Sequence, residues 1–569
     1  MPRAGDQQVG KHLEVAPAGA FRPADHQREA RDLLITGTRR GIRGARRARL
    51  AAIVREPGCA GGVVRAIVSG VAATTLTATN LAELPAEVPG PTYDRSAVSV
   101  GIVHFGVGGF HRAHQAMYLD ELMQQGKALD WGICGVGVLE VDKRMAEVTE
   151  AQDDLYTLVL KHADGRREAR VIGSIVDYLY APDDPESVLE RMTDPATRIV
   201  SLTVTEGGYH KNPSTGEFDD RDPGLRADIQ AAEGALPGTA FGYVVEALRR
   251  RRDDGTGPFT VMSCDNIQGN GHVAHAMITA FARRRDPTLA DWIEANVPFP
   301  NSMVDRITPR TTDEDREELE ANAGVVDAWP VVCEPFTQWV LEDRFVAGRP
   351  PVEDVGVQVV TDVEPYELMK LRLLNASHQA IAYLGYLAGY RYAHEVAGDE
   401  LFAGFTRAYM DREGTPTLAP VPGVDLDDYK ATLIERFANP AIRDTLARLA
   451  AESSDRIPTW LVPVIRINLA NGGEIERSAL VVAAWARYAE GVDEDGDPIE
   501  VVDTGRVEER IAAARRYPDE PLAFLADRDL FGDLVDDERF TRAYRTHLDA
   551  LHTHGARSTV AELESRLPR

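Results

Sequence analysis

Residues 100–112 read VGIVHFGVGGFHR, and this stretch decides the fold. A short apolar run ends at Gly106, and helical spacing takes over from residue 108 to residue 123. A strand that turns on glycine into a helix is where a dinucleotide-binding turn belongs: Gly106 permits the tight turn, and Gly108 lets backbone N–H groups approach a pyrophosphate at the helix N-terminus. Gly109, Phe110, His111 and Arg112 complete the segment, with His111 standing where the usual fingerprint has its third glycine. By itself such a turn serves cofactor binding or simple tight packing equally well.

Outward from this turn the same alternation continues. Residues 131–138, 198–205 and 259–264 are short, continuous apolar runs, and 241–252 has helical spacing. Buried strands separated by helices predict an α/β, Rossmann-type domain with a mainly parallel sheet. Residues 155–160 and 168–179 read as an added antiparallel pair. Beyond about residue 365 the strand signals stop, and 366–388, 401–412, 427–437, 441–451, 475–490, 507–516 and 536–551 all read as helices. Gly348, Pro350 and Pro351 mark the join. The expected organisation is a basic, disordered extension over 1–75, a dinucleotide-binding domain over 76–360, and an all-helical substrate and catalytic domain over 361–569.

Composition narrows the class. The chain has 569 residues, 44% hydrophobic and 27% charged, as expected of a protein with large packed cores. No run of about 18 uncharged apolar residues occurs, so no membrane-spanning helix is expected. The net charge of −27 repels nucleic acid and anionic membranes. Residues 1–70 depart from the rest, with 13 Lys/Arg against 6 Asp/Glu, and read as an extension ahead of the first domain, which an upstream mis-assigned start would explain. Cys59, Cys134, Cys264 and Cys333 are widely spaced, which argues against a zinc site or disulfide framework and for buried thiols in a reducing, cytoplasmic setting.

Asp142 follows the second predicted strand within a few residues. A carboxylate there can accept hydrogen bonds from adenosine ribose hydroxyls and repel a 2′-phosphate, which predicts NAD over NADP. Lys143 and Arg144 weaken that prediction, Glu140 could serve instead, and Asp142 could simply cap the next helix. His111 and His114 share a helical face, but no third ligand lies nearby, so no metal is expected. Arg112 could pair with a phosphate or be a surface charge.

The chain holds 7 lysines against 56 arginines, and Lys370 is the only lysine between Lys211 and Lys430. A lysine inside an apolar helix therefore asks for a reason. At about 100° per residue, Lys370, Asn375 and His378 fall within roughly a 140° arc of one helix. Lysine can lose its proton when desolvated, whereas arginine cannot. A neutral lysine can take a hydroxyl proton as hydride leaves for a nicotinamide, and asparagine amides can hold the developing alkoxide. The competing reading is a surface lysine with two unrelated polar neighbours.

From about residue 76 to the end, the chain resembles the polyol-specific long-chain dehydrogenases. The resemblance is carried by GVGGFHRAHQ (106–115), TEGGYH (205–210), MSCDN (262–266), FPNSMVDRITP (299–309), VVCEPFTQWVLED (331–343) and the Lys370–Asn375–His378 segment. It implies a zinc-independent, NAD-dependent enzyme that oxidises D-mannitol to D-fructose and runs the reverse reduction. A related polyol or sugar acid, of the D-arabinitol 4-dehydrogenase or fructuronate reductase type, is the alternative, and a catalytically silent NAD-binding protein is the rival from another class. By resemblance Lys370 is the general base in oxidation and the acid in reduction. Asn266 and Asn375 stabilise the oxyanion, His378 holds substrate and helps place Lys370, and Glu367 carries protons to solvent. Val304, Asp305 and Arg448 line the substrate cavity. Arg456 stands where the family pattern has a substrate-binding lysine, and the acid of the family's nucleotide-selecting pair is kept at Asp142 while its neighbour is Val141, which loosens the rejection of NADP. A monomer is compatible with two domains that each build a core.

Overall fold

The computed structural model describes residues 73–212, 216–232 and 234–567. Cys59 and the basic segment 1–70 lie outside the described residues, as does most of the predicted extension.

Five parallel strands form the central sheet: β1 (Val100–Phe105), β2 (Gly132–Gly137), β3 (Ile175–Tyr180), β4 (Ile199–Leu202) and β5 (Thr260–Ser263). Their spatial order is β3-β2-β1-β4-β5, so the order reverses beside β1, between β1 and β4. In doubly wound sheets that crevice is the ligand-binding position. Every residue of β1, β2, β4 and β5 is buried. This is why these strands read as continuous apolar runs rather than as alternating ones. Separate hydrophobic clusters fill the two faces: Phe105, Val200, Val244 and Phe281 belong to one, and Ile102, Leu119, Ile133 and Trp339 to the other.

The predicted antiparallel pair needs correction. Tyr156–Lys161 does pair antiparallel with Arg167–Ile172. However, the chain then breaks at Gly173 and Ser174, and Ile175–Tyr180 joins the main sheet as β3, parallel to β2. The break is held by the Gly173 N–H donating to Asp120 at 3.0 Å and by the Ser174 hydroxyl donating to the Ala116 carbonyl at 2.6 Å. An uninterrupted apolar pattern across a change of sheet hides such a break.

A small sheet of Ser302–Asp305, Gln338–Glu342 and Gln358–Val360 leads out of the first domain. The remainder is helical, with its own core built on Tyr383, Trp485, Phe524 and Tyr544. In the helical domain the sequence reading missed Ala393–Ala397, Ser453–Trp460, Val462–Asn471 and the short Arg528–Phe531. Pro458 lies inside Ser453–Trp460 and Pro463 in the first turn of Val462–Asn471, and proline is ordinarily read as a helix breaker. The predicted helix at 441–451 shrinks to Leu446–Ala450, while the terminal one starts at Glu538 and, past a non-helical break at Gly555, continues to Arg566. Among the described residues, no helix is long and apolar enough to cross a membrane. Cys134, Cys264 and Cys333 are buried free thiols.

Candidate active site

The glycine turn leaves the C-terminal end of β1. Gly106 adopts φ +93, a left-handed conformation that favours glycine, and an added Cβ would collide with the Thr203 carbonyl at the end of β4. The Thr203 hydroxyl donates to the Gly106 carbonyl at 2.6 Å and also meets His104 Nε2 at 2.9 Å. His104 Nδ1 meets the Ser201 hydroxyl at 2.7 Å, and the His104 ring stacks on His111 with centroids 3.5 Å apart. Burial drives the His104 pKa down to about 3 and that of His111 well below its ordinary value. Both rings therefore stack uncharged, without mutual repulsion. The helix predicted over 108–123 breaks at His114 into Gly109–Ala113 and Gln115–Gln124. His114 Nε2 turns to the Gln338 carbonyl at 3.1 Å, so His111 and His114 face different partners.

Arg112 is not a surface charge. It is buried, donates from Nη1 to the Trp329 carbonyl at 2.6 Å, and lies near the rings of Tyr156 and Trp329. Asp142 accepts from the backbone N–H groups of Val138 and Leu139 through Oδ2, at 3.0 and 2.9 Å. It thus closes the turn after β2 while still lining the groove, and Val141 beside it is 72% exposed. Glu140 does not line that groove.

The groove has a volume of ≈ 940 Å³ and runs over the C-terminal ends of β1, β2 and β4. A second cavity of ≈ 450 Å³ shares Gly106, Gly108, Gly109, Thr203 and Thr205 with it. An extended ligand in the groove would therefore reach into the cavity at the switch point. Glycine at 106 is demanded by the backbone, the turn faces both spaces, and Asp142 lines the distal groove. These residues fit a dinucleotide.

The cavity brings together nearly every residue singled out beforehand. Gly106, Gly108, Gly109, Phe110 and His111 line it from the first domain with Asn266, Val304 and Asp305; Lys370, Asn375, His378, Arg448 and Arg456 line it from the helical domain. Lys370 is buried, and its Nζ donates to Asn266 Oδ1. Burial pushes the lysine pKa down, Asp305 opposes that, and Arg436 adds to it. The helix here is not a regular α-helix. Residues Lys370–Asn375 form a π-helical segment in which the Ala376 N–H donates to the Leu371 carbonyl, five residues back. That wider turn stacks Asn375 near Lys370, closer than the 140° separation a uniform α-helix gives. The Tyr409 hydroxyl donates to the Arg372 carbonyl at 3.0 Å and supports the segment. Asn375 Oδ1 is buried without a protein hydrogen-bond partner. The His378 ring packs 4.7 Å from Phe437, and burial lowers its pKa to about 3, so it is a neutral group.

Glu367 lies one turn before Lys370 but outside this cavity. It is buried, accepts from the Gly269 N–H with both oxygens at 3.1 and 3.2 Å, and lines a small adjoining pocket with Lys370 and Asn266. Burial raises its pKa to about 7, which lets it exchange protons near neutrality.

Several contacts around the site carried no signal in the sequence. Arg436, on helix Leu426–Phe437, makes a bidentate pair with Asp305 at 2.8 and 2.9 Å and also holds Glu334. Asp265 accepts from the Val204 and Thr205 N–H groups and from the Tyr209 hydroxyl, fixing the turn after β4. Asp444 and Glu452 each bind an arginine four residues on, Arg448 and Arg456 respectively. The acids of MSCDN and CEPF were visible, but sequence separation concealed their partners.

A dinucleotide groove opening onto a cavity that holds a buried amine and two carboxamides defines a dehydrogenase of the Rossmann class. Residues 100–354 match the mannitol dehydrogenase Rossmann domain, and 362–552 match the mannitol dehydrogenase C-terminal domain. The chain belongs to the mannitol dehydrogenase family. It is 49% identical over 475 residues to mannitol 2-dehydrogenase of Aspergillus fumigatus, covering 83% of this chain and 94% of that one. The Pseudomonas fluorescens mannitol 2-dehydrogenase, solved as a ternary complex with NAD and D-mannitol, superposes with a TM-score of 0.79 at 46% identity, covering 87% of this chain and 100% of that one. A D-sorbitol dehydrogenase in substrate-free form gives the same TM-score of 0.79 at 39% identity, covering 86% and 100%.

Proposed function

We propose that the protein interconverts D-mannitol and D-fructose with NAD, and that Lys370 moves the proton. The observation that carries this reading is the buried Lys370 amine, bonded to Asn266 and lining one cavity with the glycine turn. Residues 76–360 would supply the nucleotide site and 361–569 the lysine, in a cytoplasmic setting that suits the buried free thiols.

In this mechanism no metal takes part. NAD, when bound, accepts the hydride that leaves the carbinol carbon. Gly106, Gly108, Gly109, Phe110, His111 and Arg112 shape the turn that receives the cofactor, with Asp142 at its ribose end. Lys370 enters the cycle neutral and accepts the hydroxyl proton, so an ammonium forms as the carbonyl does. Asn266 and Asn375 donate to the oxygen while it is negative. His378, uncharged, offers a ring nitrogen to the substrate and backs Lys370. Glu367 takes the proton from the lysine side toward solvent, which its pKa of about 7 favours. Val304, Asp305, Arg448 and Arg456 contact the rest of the polyol.

A neutral polyol suits the cavity better than a hexuronate. Arg448 and Arg456 could have been free cations for a carboxylate, but Asp444 and Glu452 neutralise them.

NADH oxidation with D-fructose, D-fructuronate and D-xylulose, compared on the full chain, tests the substrate. Turnover should be highest with D-fructose; preference for either rival would move the substrate assignment to it. Lys370→Arg tests the chemistry: turnover should fall about 10³-fold or more with NADH binding retained, since arginine stays protonated. Normal activity in that variant would remove the lysine from proton transfer.

A further inference from the structure

Arg436 forms an arrangement that the mechanism above leaves unused. It is buried and does not line the cavity. Its Nη1 and Nη2 donate to Asp305 Oδ2 and Oδ1 at 2.8 and 2.9 Å, while Nε and Nη2 donate to Glu334 Oε2 and Oε1 at 3.0 and 2.8 Å. The guanidinium lies 3.9 Å from the Phe336 ring centre. The side chains of Arg436, Asp305 and Glu334 are 5%, 5% and 3% exposed. Asp305, at the end of its strand, does line the cavity and acts electrostatically on Lys370. A buried carboxylate beside a buried amine ordinarily forms an ion pair and holds the amine protonated. Here both Asp305 oxygens are engaged by one guanidinium, and Lys370 donates to the neutral amide of Asn266.

We infer that Arg436 is a positioning residue: by occupying both oxygens of Asp305 it prevents that carboxylate from capturing Lys370 as an ammonium, and so leaves the amine able to act as a base. The inference rests on the reading of Lys370 as the proton-transfer group. Arginine suits the task because its planar fork spans two carboxylates and keeps its charge at any working pH; lysine offers one point charge and cannot hold all four oxygens. The other titratable groups around Lys370 do not replace it. Glu367 is tied to the Gly269 N–H, Glu206 lines the same cavity and acts on Lys370 through its charge, and His114 and His378 are neutral rings.

The test is the pH profile of kcat/KM for D-mannitol oxidation, which reports groups of the free enzyme. In Arg436→Met the acidic limb should move up by about one pH unit, an approximately tenfold loss at neutral pH that alkaline pH recovers. Adding Asp305→Asn to Arg436→Met should return the limb toward its original position, a rescue that loss of packing would not give. Arg436→Lys should shift the limb in the same direction by less, and it carries the test if the methionine variant does not fold. NADH binding by fluorescence identifies the folded variants. A folded variant that loses activity equally at every pH, or whose limb does not move, overturns the inference. Lys370→Met separates the two failures: activity in that variant would overturn the lysine reading itself, whereas inactivity combined with an unmoved Arg436 profile overturns only the role of Arg436.

Discussion

Lys370 and Asn266 lie 104 positions apart and meet through one hydrogen bond, Nζ donating to Oδ1. The bond crosses from the helical domain to the end of β5. It gives the lysine an acceptor without a charge, and it leaves the Asn266 Nδ2 as the donor end of the amide. Asn266→Asp should therefore be worse than its size suggests. A carboxylate at that position would hold Lys370 protonated, so the acidic limb of the oxidation profile should rise by more than one unit, with at least a tenfold loss at neutral pH. Steady-state rates from pH 6 to 10 would decide this, and an unmoved limb would contradict it.

Asn375 presents a buried amide whose Oδ1 has no protein partner. If its Nδ2 serves the developing oxyanion, Asn375→Ala should lower kcat about 10²–10³-fold with little change in NADH affinity. A comparable loss in cofactor binding would instead assign the residue to helix architecture.

Gly106 and Thr203 lock the glycine turn across the switch point. Gly106→Ala must place a side chain at φ +93 against the Thr203 carbonyl. Thr203→Val removes the hydroxyl that donates to Gly106 and meets His104. Both should weaken NADH binding about tenfold or more, with the alanine variant also losing thermal stability. Fluorescence titration and calorimetry measure the two effects; unchanged affinity in both would separate the turn from the cofactor.

The raised pKa of Glu367 makes stability depend on pH. Burial raises its pKa from 4.5 to about 7, so the folded protein binds this proton more tightly than the unfolded chain does. Its contribution is then most favourable below about pH 4.5 and is lost as pH rises through about 7. Glu367→Gln should remove that loss, making the variant relatively more stable than the parent at pH 8 than at pH 5, by on the order of 3 kcal/mol at most. Denaturant unfolding of both proteins at the two pH values is the check, and parallel curves would refute it.

Asp142 both closes the turn after β2 and faces the groove. The parent should favour NAD over NADP in kcat/KM, and Asp142→Ser should narrow that ratio. A ratio unmoved by the substitution would leave Asp142 with the capping role alone.

The sequence alone determined much of this protein because its strongest patterns are local. Fully buried strands such as β1 and β4 are apolar at nearly every position, the exceptions His104 and Ser201 being hydrogen-bonded to each other, and a left-handed turn such as that at Gly106 favours glycine. A lysine placed in an apolar helix of an arginine-rich chain likewise stands out without any fold. For these reasons the parallel sheet, the helical second domain and the glycine turn were legible, with Lys370 and Asn375 as candidates from helix spacing, whereas Asn266 and Asp305 entered only through the family resemblance. What the tertiary structure decided involves partners distant in sequence or small departures from regular geometry. The strand at Ile175–Tyr180 changes sheet without changing its pattern. The π-helical turn at Lys370–Asn375 leaves no mark in residue spacing, yet it sets how the amine and the amide stack. Arg436, one of 56 arginines, is like any other until the helix that carries it packs against Asp305 and Glu334. Whether an arginine is a surface charge, a neutralised cavity wall or the clamp on a carboxylate depends on which acid folding brings within about 3 Å, and no local pattern encodes that distance.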